Sequence, residues 1–185
     1  KMKIITYLRK LIYPYEDVVK EIPPYSNILD IGCGNSHILE DFKKLKINSY
    51  TGIDPKVKNK IEKKNISISN KTIEDFIEEI DKFDCILMID VMHHLQKETQ
   101  EILFRNIISS MKKNSLLIYK DISNRNKFFA FMNWAHDLLY NFQEINYFSS
   151  DNIKLILNNN GVVYKHYFKR VFWYDHEFFI IRNTK

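Results

Sequence analysis

Three short stretches of the chain carry residue types whose spacing could do chemistry. In "ILDIGCGNSH", residues 28–37, Asp30 stands just before Gly32-Cys33-Gly34, although the 185 residues include only four glycines. In "SYTGIDP", 49–55, Gly52 precedes Asp54 and Pro55, and Asp54 lies 22 residues beyond Gly32. In "FDCILMIDVMHHL", 83–95, an apolar run ends at Asp90 and is followed closely by Val91, His93 and His94. A strand that ends at Asp30 and Ile31, turns on two glycines and enters a helix near Ser36 has the layout of a nucleotide-type cofactor site. In open α/β sheets such ligands lie beyond the carboxyl ends of the strands. A Cβ at position 32 or 34 would push the ligand off the backbone or forbid the turn. Asp54, at the end of the second strand, is placed to accept hydrogen bonds from two ribose hydroxyls.

The spacing also discriminates among cofactors. A dinucleotide fingerprint requires a third glycine where His37 stands, and the Gly-Lys-Ser/Thr of a phosphate-binding loop is absent. A site for S-adenosylmethionine has no pyrophosphate to cradle and tolerates this spacing.

Elements that could hold these residues follow from the apolar pattern. Strand-like runs occur at 27–31, 49–54, 66–68, 83–90 and 115–121, and between them helical patterns are expected at 36–46, 56–64, 72–80 and 97–112. Alternation of fully apolar strands with helices implies a mostly parallel open sheet with helices on both faces. An aromatic helical segment is expected at about 127–142, then a helix at 151–159 stopped by Gly161, then strands at 162–169 and 173–182 that add an antiparallel C-terminal strand. "IPPYS", 22–26, separates the sheet from an N-terminal helical arm, 1–25. The whole, 1–185, reads as a single domain.

Charge and composition narrow the function classes. The net charge of +5 is spread along a chain rich in Lys, Ile and Asn, and its densest basic run, 56–64, is expected on a solvated helix, so a nucleic-acid partner is not favoured. Cys33 and Cys85 lack the spacing of a zinc site or a disulfide framework, which fits a reducing cytoplasm. No apolar run is long enough to cross a bilayer, while the amphipathic N-terminus leaves a peripheral membrane contact open.

Together, "ILDIGCGNSHILEDF", "YTGIDP", "FDCILMIDVMHHL" and "LLIYKD" resemble the successive motifs of class I S-adenosylmethionine-dependent methyltransferases, covering about 28–121. The resemblance implies a Rossmann-like sheet and S-adenosyl-L-methionine as cofactor. It implies that Asp30, Gly32, Cys33 and Gly34 border the methionine end, that Asp54 binds the ribose, and that Pro55 lies against the adenine. Thr72 and Ile73 would line the adenine, and Asp90 and Val91 would complete the cofactor site. Two positions depart from the pattern: Lys71 stands where members often place an acid against the adenine amine, and Ser36, a good helix N-cap, stands at a third small position. The segment "YKDISNRNKFFAFMNWAHDLL" is also similar to a region of small bacterial methyltransferases of lipid-like pathways.

Methyl transfer from a sulfonium needs alignment above all, and a base only where the acceptor must lose a proton. His94, four residues after Asp90, matches a functional histidine of similar small-molecule enzymes, with His93 beside it. Alternatively both histidines merely begin the next helix and line the pocket. A metal reading would use Asp90 and Asp121, but the Asp-Asn pair of catechol-type enzymes is missing after the fifth strand, so no metal is expected. Phe131, Trp134 and His136 belong either to a lid over an apolar acceptor or to a core helix. The expected function is methyl transfer to a small-molecule or lipid-like acceptor. A nucleic-acid or protein methyltransferase and an inactive methyltransferase-like binding subunit are the alternatives.

Overall fold

The computed structural model describes residues 13–34, 36, 38, 39, 42, 45–127, 145–172 and 174–185. Its centre is an eight-stranded sheet: β1 Asn27–Ile31, β2 Ser49–Ile53, β3 Ile61–Lys63, β4 Ile66–Ser69, β5 Cys85–Ile89, β6 Leu116–Ile122, β7 Val163–Val171 and β8 Tyr174–Arg182, in the order β3-β4-β2-β1-β5-β6-β8-β7. The pairs β1–β2, β2–β4, β1–β5 and β5–β6 are parallel, whereas β8 runs antiparallel to both β6 and β7. The expected parallel sheet with an antiparallel C-terminal strand is therefore present.

Strands buried on both faces explain the near-continuous apolar runs. All seven residues of β6 are buried, Lys120 and Asp121 included. On one face Leu29, Ile86, Met88, Leu117 and Tyr119 pack with α2 (Lys97–Ser110) and α3 (Ser150–Asn160), through Phe104, Ile107, Ile153 and Leu157. On the other, Ile28, Leu87, Ile118 and Phe178 pack with Val18 of α1 (Tyr15–Val19) and with Ile38 and Phe42. Asp17 of α1 pairs with Lys20 and with Lys169 of β7, which ties this part of the N-terminal arm to the far edge of the sheet. Gly161 ends α3 at φ +60°, the left-handed stop expected of it.

Two local expectations are corrected. Residues 56–64 do not form a helix: Ile61–Lys63 pairs antiparallel with Ile66–Ile68 across the turn at 64–65, as an edge hairpin. A helix there would have had only Val57 and Ile61 to bury, while pairing satisfies the β4 backbone, and the charged Glu62 and Lys63 suit an exposed edge. Ser36 is not a helix N-cap, because its φ is +51° rather than extended. It adopts the left-handed region, as do Gly32, φ +71°, and Gly34, φ +51°. The rest of the 36–46 segment is described only in part, and of the aromatic segment 127–142 only Lys127 lies within the described residues.

Candidate functional site

The chain leaves β1 toward β2 on one side, and later toward β5 and β6 on the other, so a crevice opens beyond the carboxyl ends of β1, β2 and β5. A cavity of about 390 Å³ lies there. Its walls include Gly32 after β1, Asp54 and Pro55 after β2, Thr72 and Ile73 after β4, and Asp90, Val91 and His94 after β5. Eight residues singled out from the sequence thus share one cavity. Ile31, Ile53, Leu95 and Leu103 make much of the rest apolar.

Close approach shapes the β1 turn. A Cβ on Gly32 would stand 2.4 Å from Val91 Cγ2, so the β1 and β5 ends can meet only with glycine at 32. Beyond it, the Gly34 N–H donates to Asp54 Oδ2 at 3.0 Å and the Lys56 N–H donates to Asp54 Oδ1 at 2.7 Å. Each carboxylate oxygen has taken one backbone donor, and a carboxylate offers about four acceptor positions. Two remain for a diol, which fits the ribose of an adenosyl group.

Asp30, Cys33 and Gly34 are not in the wall of this cavity. The Asp30 carboxylate turns aside and accepts the Tyr50 hydroxyl at 2.5 Å. Burial pushes its pKa up to about 7, with the Tyr50 hydrogen bond opposing and the Asp54 charge adding to the rise. Cys33 packs near Gly52, and burial pushes its thiol up to about 12. Gly34 borders a second, more polar cavity together with Ser36, Lys56 and Lys58. Phe131, Trp134 and His136 lie outside the described residues. At the departure noted in the sequence, the Lys71 ammonium sits 5.0 Å over the Phe76 ring, and Lys71 and Glu74 both reach the cavity wall.

The β5–β6 side is built from buried charge. Asp90, at φ +56°, receives Lys120 Nζ on both oxygens, at 2.8 and 2.6 Å, and Lys120 is 1% exposed. Lys120 also lies 4.9 Å over the Tyr13 ring. Burial raises the Asp90 carboxyl, Lys120 opposes that and Asp121 adds to it. His93 Nδ1 pairs with Asp121 Oδ1, and the His93 N–H donates to Asp121 Oδ2 at 3.2 Å. Burial would raise Asp121, but His93, the Ile122 N–H and the Lys120 charge together hold the carboxyl low. Neither histidine begins the helix: both sit in a 3-10 turn, Met92–His94, before α2. The buried Gln100 amide pins that turn by donating to Met92 O at 2.8 Å and Asn146 O at 2.6 Å. Asp90, His93 and Asp121 bring ligand-type atoms within 4.8 Å of one another, but a cation entering there would have to displace the Lys120 ammonium.

Sequence reasoning missed Lys120 and its bond to Asp90. The signal was a lysine inside "LLIYKD": the period of two puts it on the same strand face as Ile118, which is in the core.

A Rossmann-like sheet with a glycine turn after its first strand and an acid after its second defines a class of nucleotide-cofactor-binding proteins. The family model described as "Methyltransferase domain" matches residues 7–166, and the chain belongs to that family, as a class I S-adenosylmethionine-dependent methyltransferase. The fold is similar to an O-methyltransferase family protein from Burkholderia thailandensis, with TM-score 0.69, 12% identity, and 98% of this chain matched to 57% of that one. It is similar to the magnesium protoporphyrin IX methyltransferase of Synechocystis with bound S-adenosylhomocysteine, with TM-score 0.65, 13% identity and coverage of 97% and 84%. It also resembles the 1,6-didemethyltoxoflavin-N1-methyltransferase of Burkholderia thailandensis, with TM-score 0.63, 12% identity and coverage of 95% and 79%. No curated protein matches the chain.

Proposed function

We propose that the protein transfers a methyl group from S-adenosylmethionine to a small-molecule or lipid-like acceptor bound beside His94. The observation that carries this reading is the single cavity that joins Gly32 and Asp54 to the His94 turn. When bound, the cofactor supplies an electrophilic methyl group on a sulfonium. The protein's task is alignment. Asp54 holds the ribose hydroxyls with its two remaining acceptor positions, Gly32 lets the ligand approach the backbone, and Pro55, Thr72 and Ile73 flank the adenine. Asp90 and Val91 close the β5 side, and His94 accepts a proton where the acceptor has one to lose. Support for a small-molecule acceptor comes from the similar folds, which include a magnesium protoporphyrin IX methyltransferase and a 1,6-didemethyltoxoflavin-N1-methyltransferase.

Calorimetry with S-adenosylmethionine, S-adenosylhomocysteine and NAD, followed by transfer of labelled methyl into fractionated lipid and small-metabolite extracts, tests the proposal. Binding of the first two, with label entering a small product, is the expected result. Binding of NAD instead would overturn the cofactor reading, and label confined to protein or nucleic acid would overturn the acceptor reading.

A further inference from the structure

The two histidines of the 92–94 turn occupy different settings. His94 is exposed and lines the cavity, whereas His93 is 5% exposed and lies behind it, with ring centroids 4.0 Å apart and planes at 51°. Asp121, 3% exposed, grips His93 twice, once at the ring nitrogen and once at the backbone N–H, and is itself held by the Ile122 N–H at 2.7 Å. The neighbouring charges are matched in pairs. Asp90 meets Lys120, and Glu177, beside Asp121 across β8, meets His166 Nε2 at 2.7 Å. On the cavity side Asp54, Lys56, Lys71 and Glu74 line the walls with His94.

We propose that Asp121 is the positioning residue of a proton-accepting imidazole pair: it fixes His93 with Nδ1–H toward the carboxylate and places a buried negative charge behind His94. A carboxylate at one ring nitrogen sets the tautomer and orientation of an imidazole. His93 so fixed is a rigid platform for the His94 ring. The inference rests on the methyltransferase reading above for the step it serves. When an acceptor loses its N–H or O–H proton, that proton bonds to a His94 ring nitrogen and the electron pair of the broken bond stays on the acceptor heteroatom. The imidazolium formed is then stabilised through His93 by the Asp121 charge. Cavity-wall charges would act on His94 from the open side, where water screens them; Asp121 acts from the dry side.

Long-range proton–nitrogen NMR spectra of the histidine rings, recorded over the imidazole titration range on the protein with S-adenosylhomocysteine, test this without an acceptor. In the wild type His93 should carry its proton on Nδ1 throughout, and in Asp121→Asn the midpoint of His94 should move to lower pH by roughly one unit, the scale of losing one charge close by in a protein interior. A folded Asp121→Asn with the His94 midpoint unmoved would show that Asp121 is merely structural. Should that variant not fold, the wild-type spectrum decides alone, because a neutral His93 with a bare Nδ1 overturns the proposal. Calorimetry on the same sample separates the two readings: absent cofactor binding would sink the methyltransferase reading and leave the histidine result standing.

Discussion

The two sides of the crevice are built on different principles. On the β1–β2 side the working parts are backbone turns and one carboxylate that faces the cavity: Gly32, φ +71°, and Asp54, which takes two backbone N–H groups and keeps acceptor capacity for a ligand. On the β5–β6 side the parts are a buried ion pair, Asp90 with Lys120, and a buried hydrogen-bonded pair, His93 with Asp121. The first side is a mould that a ligand completes. The second is complete within the protein, so its cost of desolvation is met by internal partners whether or not a ligand is bound.

Breaking an internally completed pair should therefore harm the fold most. Lys120→Met leaves the Asp90 carboxylate facing a thioether, and we expect about 3–5 kcal/mol of lost stability in urea denaturation, the usual cost of orphaning one partner of a buried pair. A loss below about 1 kcal/mol would mean that Asp90 finds water from the cavity, and the contrast between the two sides would fade.

The next effect comes from Asp30, which sits on the mould side but is buried like the other. Its native pKa of about 7 lies above the unfolded value of roughly 3.9, so the native state holds a proton that the unfolded state has lost between those limits. Stability should accordingly fall as pH rises through that window, by up to roughly 1.4 kcal/mol per pH unit, and level off above pH 7. Asp30→Asn, which can still accept the Tyr50 hydroxyl, should lose this slope in pH-dependent denaturation. An unchanged slope would place its origin elsewhere.

Asp54→Ala should show the opposite profile. It sits at the ligand-completed side, so S-adenosylmethionine binding should weaken by about 1.5–3 kcal/mol, while stability changes by less, reflecting only the two backbone N–H groups left to water. Calorimetry that finds equal losses of binding and stability would show that Asp54 serves the turn rather than the ligand.

Much of the mould side could be read from residue order. Gly32, Asp54 and Pro55 follow strand ends, and a strand end, a turn and an acid are local features that survive as motifs. Thr72 and Ile73 reached the same cavity by following β4, yet the flanking helix expected at 56–64 became an edge hairpin, since a segment with two apolar residues has no face to bury. Asp121 and His93 stand 28 residues apart, and no local pattern joins them. Asp30 shows the limit most sharply: Tyr50, on the neighbouring strand, donates to its carboxylate, a contact between strands that no motif encodes.

The mostly parallel sheet follows from residue order, because fully apolar strands alternating with helices have few ways to bury both faces, and so do the glycine turn and the acid after β2, which depend on neighbours along the chain. Which charges meet depends on how the strands are paired in space. Parallel pairing sets β6 beside β5, which delivers Lys120 to Asp90 and Asp121 to His93, and side-chain contacts between strands depend on register and twist that composition and spacing do not encode.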